Sequence, residues 1–390
     1  MSTPSDKPSF IPLSEPLIAG REWEYVKECL DTAWVSSAGR FVERFEADLA
    51  RRLGVAGAVA TASGTAALHV ALLLAGVRPD DEVLVPSLTF IATANAVRYC
   101  GAQPVFMDAE PVHCQMDAGK AVDFLERECV WAKGELRNRV SGRRLAALLP
   151  VHLLGHPVDL DPLLELAGKY ALAVVEDATQ SLGARYKGRP VGALGTLGCL
   201  SFNGNKLMTT GGGGMIVGNS AELMERARYL TTQARDHAAE YVHQSIGFNY
   251  RLSNVAAAMG CAQLERLDEF LAAKRALAAR YHETLGGVPG LALPAQAPWA
   301  ESAWWLYTVL VDEKEYGLSS RELRGRLRAA GAESRTFYQP LHLSPAHAGA
   351  QAYHCETAER LWAEGLSLPS SVGLKPEDQD RVVEVVRDAA

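Results

Sequence analysis

The chain has 390 residues, of which 48% are hydrophobic and 22% charged, with a formal net charge of −7. That length suits a large unit plus a smaller one, and the ordinary composition excludes disorder. Acidic and basic residues are mixed along the chain, which excludes a general nucleic-acid binder, and no run of about 18 apolar residues is present to span a membrane.

The opening MSTPSDKPSF lacks a basic start followed by an apolar run, so no signal peptide is expected and residues 1–20 read as an N-terminal arm. From about residue 55, short apolar runs alternate with helical patterns. Residues 82–85 (EVLV) read as a buried strand ended by Pro86-Ser87, and 89–100 as a helix stopped by Gly101. Residues 104–107 form a second strand. The polar stretch 133–144 reads as a surface excursion. A third strand is expected over 145–154, broken by Gly155-His156-Pro157, followed by a helix over 161–170 and a fourth strand over 171–175 running into Glu176-Asp177. Such alternation predicts an α/β fold on a mainly parallel sheet, with chemistry at the carboxyl edge of its strands. After residue 255 the texture changes. Residues 254–284 read as one long helix stopped by a Gly- and Pro-rich stretch, then a strand (306–311) and a basic helix (320–330) open a smaller α+β unit. The expected division is therefore a large unit over 21–255 and a linking helix with a small unit over 256–390. The seven cysteines form no CxxC pair, so neither a disulfide framework nor a metal site is expected, and a cytoplasmic location fits best.

Four clusters carry candidate chemistry. In TASGTAALH (61–69), a Ser-Gly-Thr step opens a helix whose free N–H groups and dipole favour an anion, and Gly64 lets that anion approach the backbone. An ordinary capped helix is the alternative. In VVEDATQ (174–180), Asp177 is placed to keep a pyridine nitrogen protonated, with Gln180 beside it; a helix N-cap is the competing reading. In GCLSFNGNK (198–206), followed by TTGGGG, Lys206 sits in a Gly- and Asn-rich turn where burial can strip its charge and make it a nucleophile toward an aldehyde, with Ser201 near enough to bind a phosphate. The glycine run lacks GxGxxG spacing and reads as a mobile turn shielding the lysine. In IGFNYRLSN (246–254), Asn249 and Arg251 are candidate donors to anionic groups, and Ser253 or Asn254 caps the helix that follows.

Together these stretches, with PSLTFIATANAV, GAQPVFMD, PVHLLGHPVD and the late YQPLHLSP, resemble in order the DegT/StrS-type sugar aminotransferases, a branch of the fold-type I pyridoxal-phosphate (PLP) transferases. The resemblance runs from residue 10 almost to the C-terminus. It implies that Lys206 forms the Schiff base with PLP, that Asp177 pairs with the ring nitrogen, and that Gln180 reaches the ring hydroxyl. Phe90 would stack on the ring, and Gly64, Thr65 and Ser201 would hold the phosphate, with Ala66 and Asn203 among the cofactor contacts. Asn249 would reach the phosphate from the neighbouring subunit of a homodimer. L-Glutamate would convert the cofactor to its pyridoxamine form, and a keto sugar on a nucleotide would take the amine. The SFNGNK loop and the opening look most like the branch serving legionaminic-type surface sugars, implying a UDP- or GDP-linked 4-keto-6-deoxy-N-acetylhexosamine. Trp34, Ser36, Ser37, Arg251, Trp304, Trp305, Arg335 and Tyr338 are candidates for gripping the sugar or nucleotide; packing is the alternative for each. Three rivals are weighed. A sugar dehydratase of the same family carries His where this chain has Lys206. A non-catalytic sensor on the same fold would have lost Lys206, Asp177 or Gln180. A nicotinamide dehydrogenase lacks its glycine fingerprint here.

Overall fold

Strands with side chains alternating between two buried faces build the central layer of the computed structural model, which describes residues 10–237 and 240–390. Residues 1–9 of the expected arm lie outside the described residues. Eight strands run in the spatial order Gly57–Thr61, Gly214–Gly218, Leu197–Ser201, Ala173–Asp177, Leu145–Leu148, Glu82–Pro86, Gln103–Met107 and Ala352–Tyr353. All pairings are parallel except those of Gly214–Gly218, which runs against both its neighbours.

The period of two sorts the core into two layers. Ala58, Leu84, Val174 and Leu200 face helices Arg40–Leu53, Ala118–Arg127, Leu160–Tyr170 and Asn254–Glu265. Val59, Val83, Val85, Val175 and Cys199 face helices Gly64–Leu74, Ala92–Tyr99 and Ala221–Thr231. Being covered on both faces explains why these strands read as continuous apolar runs. A second, antiparallel sheet orders Leu291–Ala292, Tyr307–Val311, Gly365–Leu368 and Arg335–Thr336, and packs against helices Leu267–Leu285, Ser320–Ala329 and Pro376–Asp388.

Four expectations need correction. The helix expected over 254–284 is two helices, Asn254–Glu265 and Leu267–Leu285, separated at Arg266 (φ −111°, ψ 10°). The strand expected over 145–154 ends at Leu148; beyond it Leu154 takes a left-handed conformation (φ 58°). The helix expected from residue 89 begins at Ala92, because the preceding turn presents Phe90 outward. The excursion over 133–144 includes a strand, Glu135–Asn138, paired with Cys129–Ala132, and its Asn138 is buried and donates to Glu82 Oε2 at 2.7 Å.

Adjacent residues of the strand Ala173–Asp177 face opposite ways. Asp177 lines a cavity, while Glu176 is fully buried and accepts from Gly192, Leu194 and Gly195 N–H groups at 2.7, 2.7 and 2.6 Å. His152 Nε2 lies 3.0 Å from the same carboxyl. Burial alone would push Glu176 up, but His152 and these backbone donors hold it below the ordinary carboxyl value of 4.5. A depressed folded pKa means stability that is present above the unfolded value and lost as the pH falls through the folded one. Glu176→Gln should therefore cost about 3 kcal/mol in urea unfolding at pH 7, and the difference from wild type should shrink as both are acidified below pH about 4.5.

Candidate active site

Three strand ends and two helix starts converge on one cavity of about 250 Å³. The strand Gly57–Thr61 leads into Ser63, whose hydroxyl caps helix Gly64–Leu74 by accepting from Ala66 N–H at 3.1 Å. Gly64 is required here: a Cβ would stand 2.9 Å from Ser201 Cβ and 3.1 Å from Thr179 Cγ2. The helix N-terminus, the Ser201 hydroxyl and Thr65 thus meet where a larger residue would close the space. Such a terminus favours an anion.

The strand Ala173–Asp177 delivers Asp177, 2% exposed, which accepts from Thr93 Oγ1 at 2.8 Å and Thr179 N–H at 3.1 Å. Three residues on, Gln180 Oε1 accepts from Leu154 N–H at 2.9 Å, so its amide nitrogen is the group left for the cavity. The left-handed turn at Leu154 is what aims that N–H.

Lys206 follows the strand Leu197–Ser201 in a loop closed by its own N–H to Asn203 O at 3.0 Å. Its Nζ stands 4.0 Å from the ring centroid of Trp305. Burial pulls its ammonium down to about 8; Asp177 opposes that pull and Arg335 reinforces it. The amine is therefore partly neutral near neutral pH, as a nucleophile or base must be. Phe90, 52% exposed, and Tyr338, with rings 5.9 Å apart, form an aromatic wall beside Arg335. Burial raises the Tyr338 phenol to about 12, against the lowering effect of its Arg335 neighbour.

Of the residues expected here, Gly64, Thr65, Phe90, Asp177, Gln180, Ser201, Asn203, Lys206, Trp305, Arg335 and Tyr338 line this cavity. Others do not. The Ala66 N–H is taken by Ser63, and Ala66 does not line the cavity. Arg251 is held 2.5 Å from Glu46 and 3.3 Å from the Ala60 carbonyl, and it lines a different groove, the one that holds Asn249. Trp34 lines a separate recess with Cys29 and Asn254, and the Ser36 carbonyl is spent on Asn254 N–H. Ser37 and Asn249 share an open groove of about 1300 Å³ with Arg228, Arg235 and Tyr241. Trp304 packs on His282 and Tyr307. Ser253 is the cap of helix Asn254–Glu265, while Asn254 braces Phe41 N–H and the Trp34 carbonyl. Thr93 and Asn205 were missed by the sequence reading; Thr93 stands three residues after Phe90 on the first turn of its helix, a spacing that ties it to the same site.

Residues 16–387 match the DegT/DnrJ/EryC1/StrS aminotransferase family. The chain belongs to that family. It is 41% identical over 382 residues to a GDP-perosamine synthase of Caulobacter vibrioides, covering 97% of this chain and 98% of the relative. It is 40% identical to the putative pyridoxal phosphate-dependent aminotransferase EpsN of Bacillus subtilis, covering 96% and 94%. Among solved structures, Streptomyces venezuelae DesV in complex with a ketimine intermediate superposes with a TM-score of 0.84 at 36% identity, covering 94% of each chain. The protein is thus a PLP-dependent sugar-nucleotide aminotransferase of the fold-type I architecture.

The aminotransferase's cavity fits PLP on its own chemistry. A buried carboxylate, a half-buried amine and a helix N-terminus flanked by hydroxyls share one space, matching a ring nitrogen, an aldehyde and a phosphate. Among the described residues no group of three or more His, Cys, Asp or Glu is placed to hold a metal ion, and no helix is long and apolar enough to cross a membrane. Gly64→Ala should weaken PLP binding at least about tenfold, read by fluorescence titration of the stripped protein, because its Cβ meets Ser201 and Thr179; an unchanged affinity would move the phosphate site elsewhere.

Proposed function

We propose that Lys206 is the residue that holds PLP and that the acceptor is a nucleotide-linked keto sugar. The observation that carries this reading is the meeting of Lys206, Asp177, Gln180 and the Gly64 helix start in one cavity. When bound, PLP supplies an electron sink that makes the proton on the amine-bearing carbon removable. Asp177, kept in place by Thr93 and the Thr179 amide, holds the ring nitrogen in its protonated form. Gln180 directs its amide nitrogen to the ring hydroxyl. Gly64, Thr65 and Ser201 bind the phosphate, with Asn203 at the rim. Phe90 covers one face of the ring.

Lys206 Nζ would take and return the proton at that carbon; general acid–base help of this kind is worth about 10²–10⁴-fold. Arg335 and Tyr338 orient an anionic substrate group against the aromatic wall. L-Glutamate is the proposed donor. Asn249 lies outside this cavity, in the groove with Arg228 and Arg235, and the proposed site is completed when Asn249 of a second copy reaches the phosphate. The proposed working units are the large one over 21–255 and the linking helices with the small one over 256–390.

For the acceptor, a UDP- or GDP-linked 4-keto-6-deoxy-N-acetylhexosamine destined for a bacterial surface glycan is the proposed class. The GDP-perosamine synthase relatives, at 41% and 35% identity, favour the GDP carrier. A dehydratase reading is disfavoured because a lysine occupies position 206.

Two measurements test the proposal. Lys206→Ala should lower turnover at least about 10³-fold with PLP still able to bind; turnover near the wild-type rate would overturn the assignment. In a panel of UDP-, GDP- and dTDP-linked 4-keto sugars, with and without an N-acetyl group, glutamate should bleach the visible band and one sugar class should restore it. Restoration by a sugar without the N-acetyl group alone would replace the proposed acceptor.

A further inference from the structure

One buried cation has no place in that chemistry. Lys274, within helix Leu267–Leu285, is 1% exposed, and no carboxylate pairs with it among the described residues. Burying an amine without a counter-charge is unfavourable, and a methionine of similar length would fill the same space without that cost. Its Nζ donates to the Trp305 carbonyl at 2.6 Å and to the Ser370 carbonyl.

Both acceptors belong to the structure around Lys206. Trp305 is 1% exposed, carries its ring beneath Lys206 Nζ, and donates its indole N–H to the Asn205 carbonyl at 2.7 Å. Asn205 directly precedes Lys206, and Ser14 Oγ reaches the same carbonyl at 3.0 Å. Ser370 N–H donates to Leu13 O at 2.6 Å, and its hydroxyl accepts from Tyr307 N–H at 3.0 Å. The arm around 13–14, the segment bearing Trp305, the end of the small sheet and the lysine loop are thus fastened at one point, with the Lys274 amine at its centre.

We propose that Lys274 is a positioning residue for Lys206: by clamping the Trp305 carbonyl to that of Ser370, it holds the indole face against the reactive amine. This rests on Lys206 being the residue that holds PLP. The indole face favours the charged form of Lys206, as Asp177 does, against burial and Arg335; Tyr338 is the remaining titratable group facing that space. Burial also draws Lys274 itself down to about 7, in keeping with an amine held by carbonyls rather than by an acid.

The test is Lys274→Met in the full-length protein. Competitive acylation from pH 6 to 10, with the Lys206 peptide read by mass spectrometry, gives the titration midpoint of Lys206 without relying on turnover. The variant should titrate at Lys206 roughly 0.5 pH or more lower, the size of a partly desolvated cation–π contact. In the PLP-loaded enzyme, kcat should fall about tenfold or more with KM within about threefold, as misplacement of a reacting group does. A lower melting temperature with unchanged Lys206 titration and unchanged kcat would make Lys274 structural only and overturn the proposal. Should Lys274→Met fail to fold, Trp305→Leu decides by the same labelling: a lower Lys206 midpoint supports the indole as the positioned element, and an unchanged one overturns it. A failure of the underlying reading is seen separately, as wild-type protein in which PLP is not linked to Lys206.

Discussion

The structure turns on holding one half-buried amine near one buried carboxylate. Burial draws Lys206 down to about 8, and Asp177 and the Trp305 indole stand against that pull. Neither partner is free to drift. Asp177 is fixed from three sides, by Thr93, the Thr179 amide and its place at the end of a central parallel strand. Lys206 sits one strand away, in the loop after Leu197–Ser201, so the register of two adjacent parallel strands sets the spacing of the pair. Everything that stabilises the sheet therefore also sets the chemistry at its carboxyl edge.

That arrangement explains the second sheet and the arm. Lys206 Nζ faces the Trp305 ring, and Trp305 is held by Asn205 and by Lys274 of the helix Leu267–Leu285, which also bonds the Ser370 carbonyl. Arg335 and Tyr338 come from the same C-terminal half. The N-terminal half of the chain thus supplies the Gly64 helix start, Phe90, Asp177 and Lys206, while the C-terminal half supplies Trp305, Arg335 and Tyr338.

Much of this was legible in the residue order because parallel strands buried on both faces write themselves as short apolar runs ending in Pro, Asp or Ser. The 82–86, 103–107 and 173–177 strands are of this kind, and the segments after the first and third lead to Phe90, Thr93, Asp177 and Gln180 in the cavity. What was not legible follows from tertiary capture. Arg251 reads as an anion donor, and only the fold shows its pairing with the buried Glu46 and its place in the groove with Asn249. Trp34, Ser36 and Ser37 precede a helix in a polar, aromatic stretch; within one chain the Trp34 and Ser36 carbonyls bond Asn254, and Trp34 and Ser37 line recesses apart from the Lys206 cavity. The break at Arg266 carries no proline or glycine, so a helical pattern passes through it unmarked. The apolar run past Leu148 continues to Leu154 because that segment is buried without being strand. Lys274 reads as one more surface lysine on a charge-laced helix, and only its burial shows otherwise.

The most direct test of the central claim is to reduce the PLP-loaded protein with borohydride, digest it and locate the pyridoxyl group by mass spectrometry. The account predicts a single modified lysine, Lys206, with Lys274 and the other lysines unmodified. A pyridoxyl group on any other lysine, or no covalent adduct in protein that still binds PLP, would contradict it.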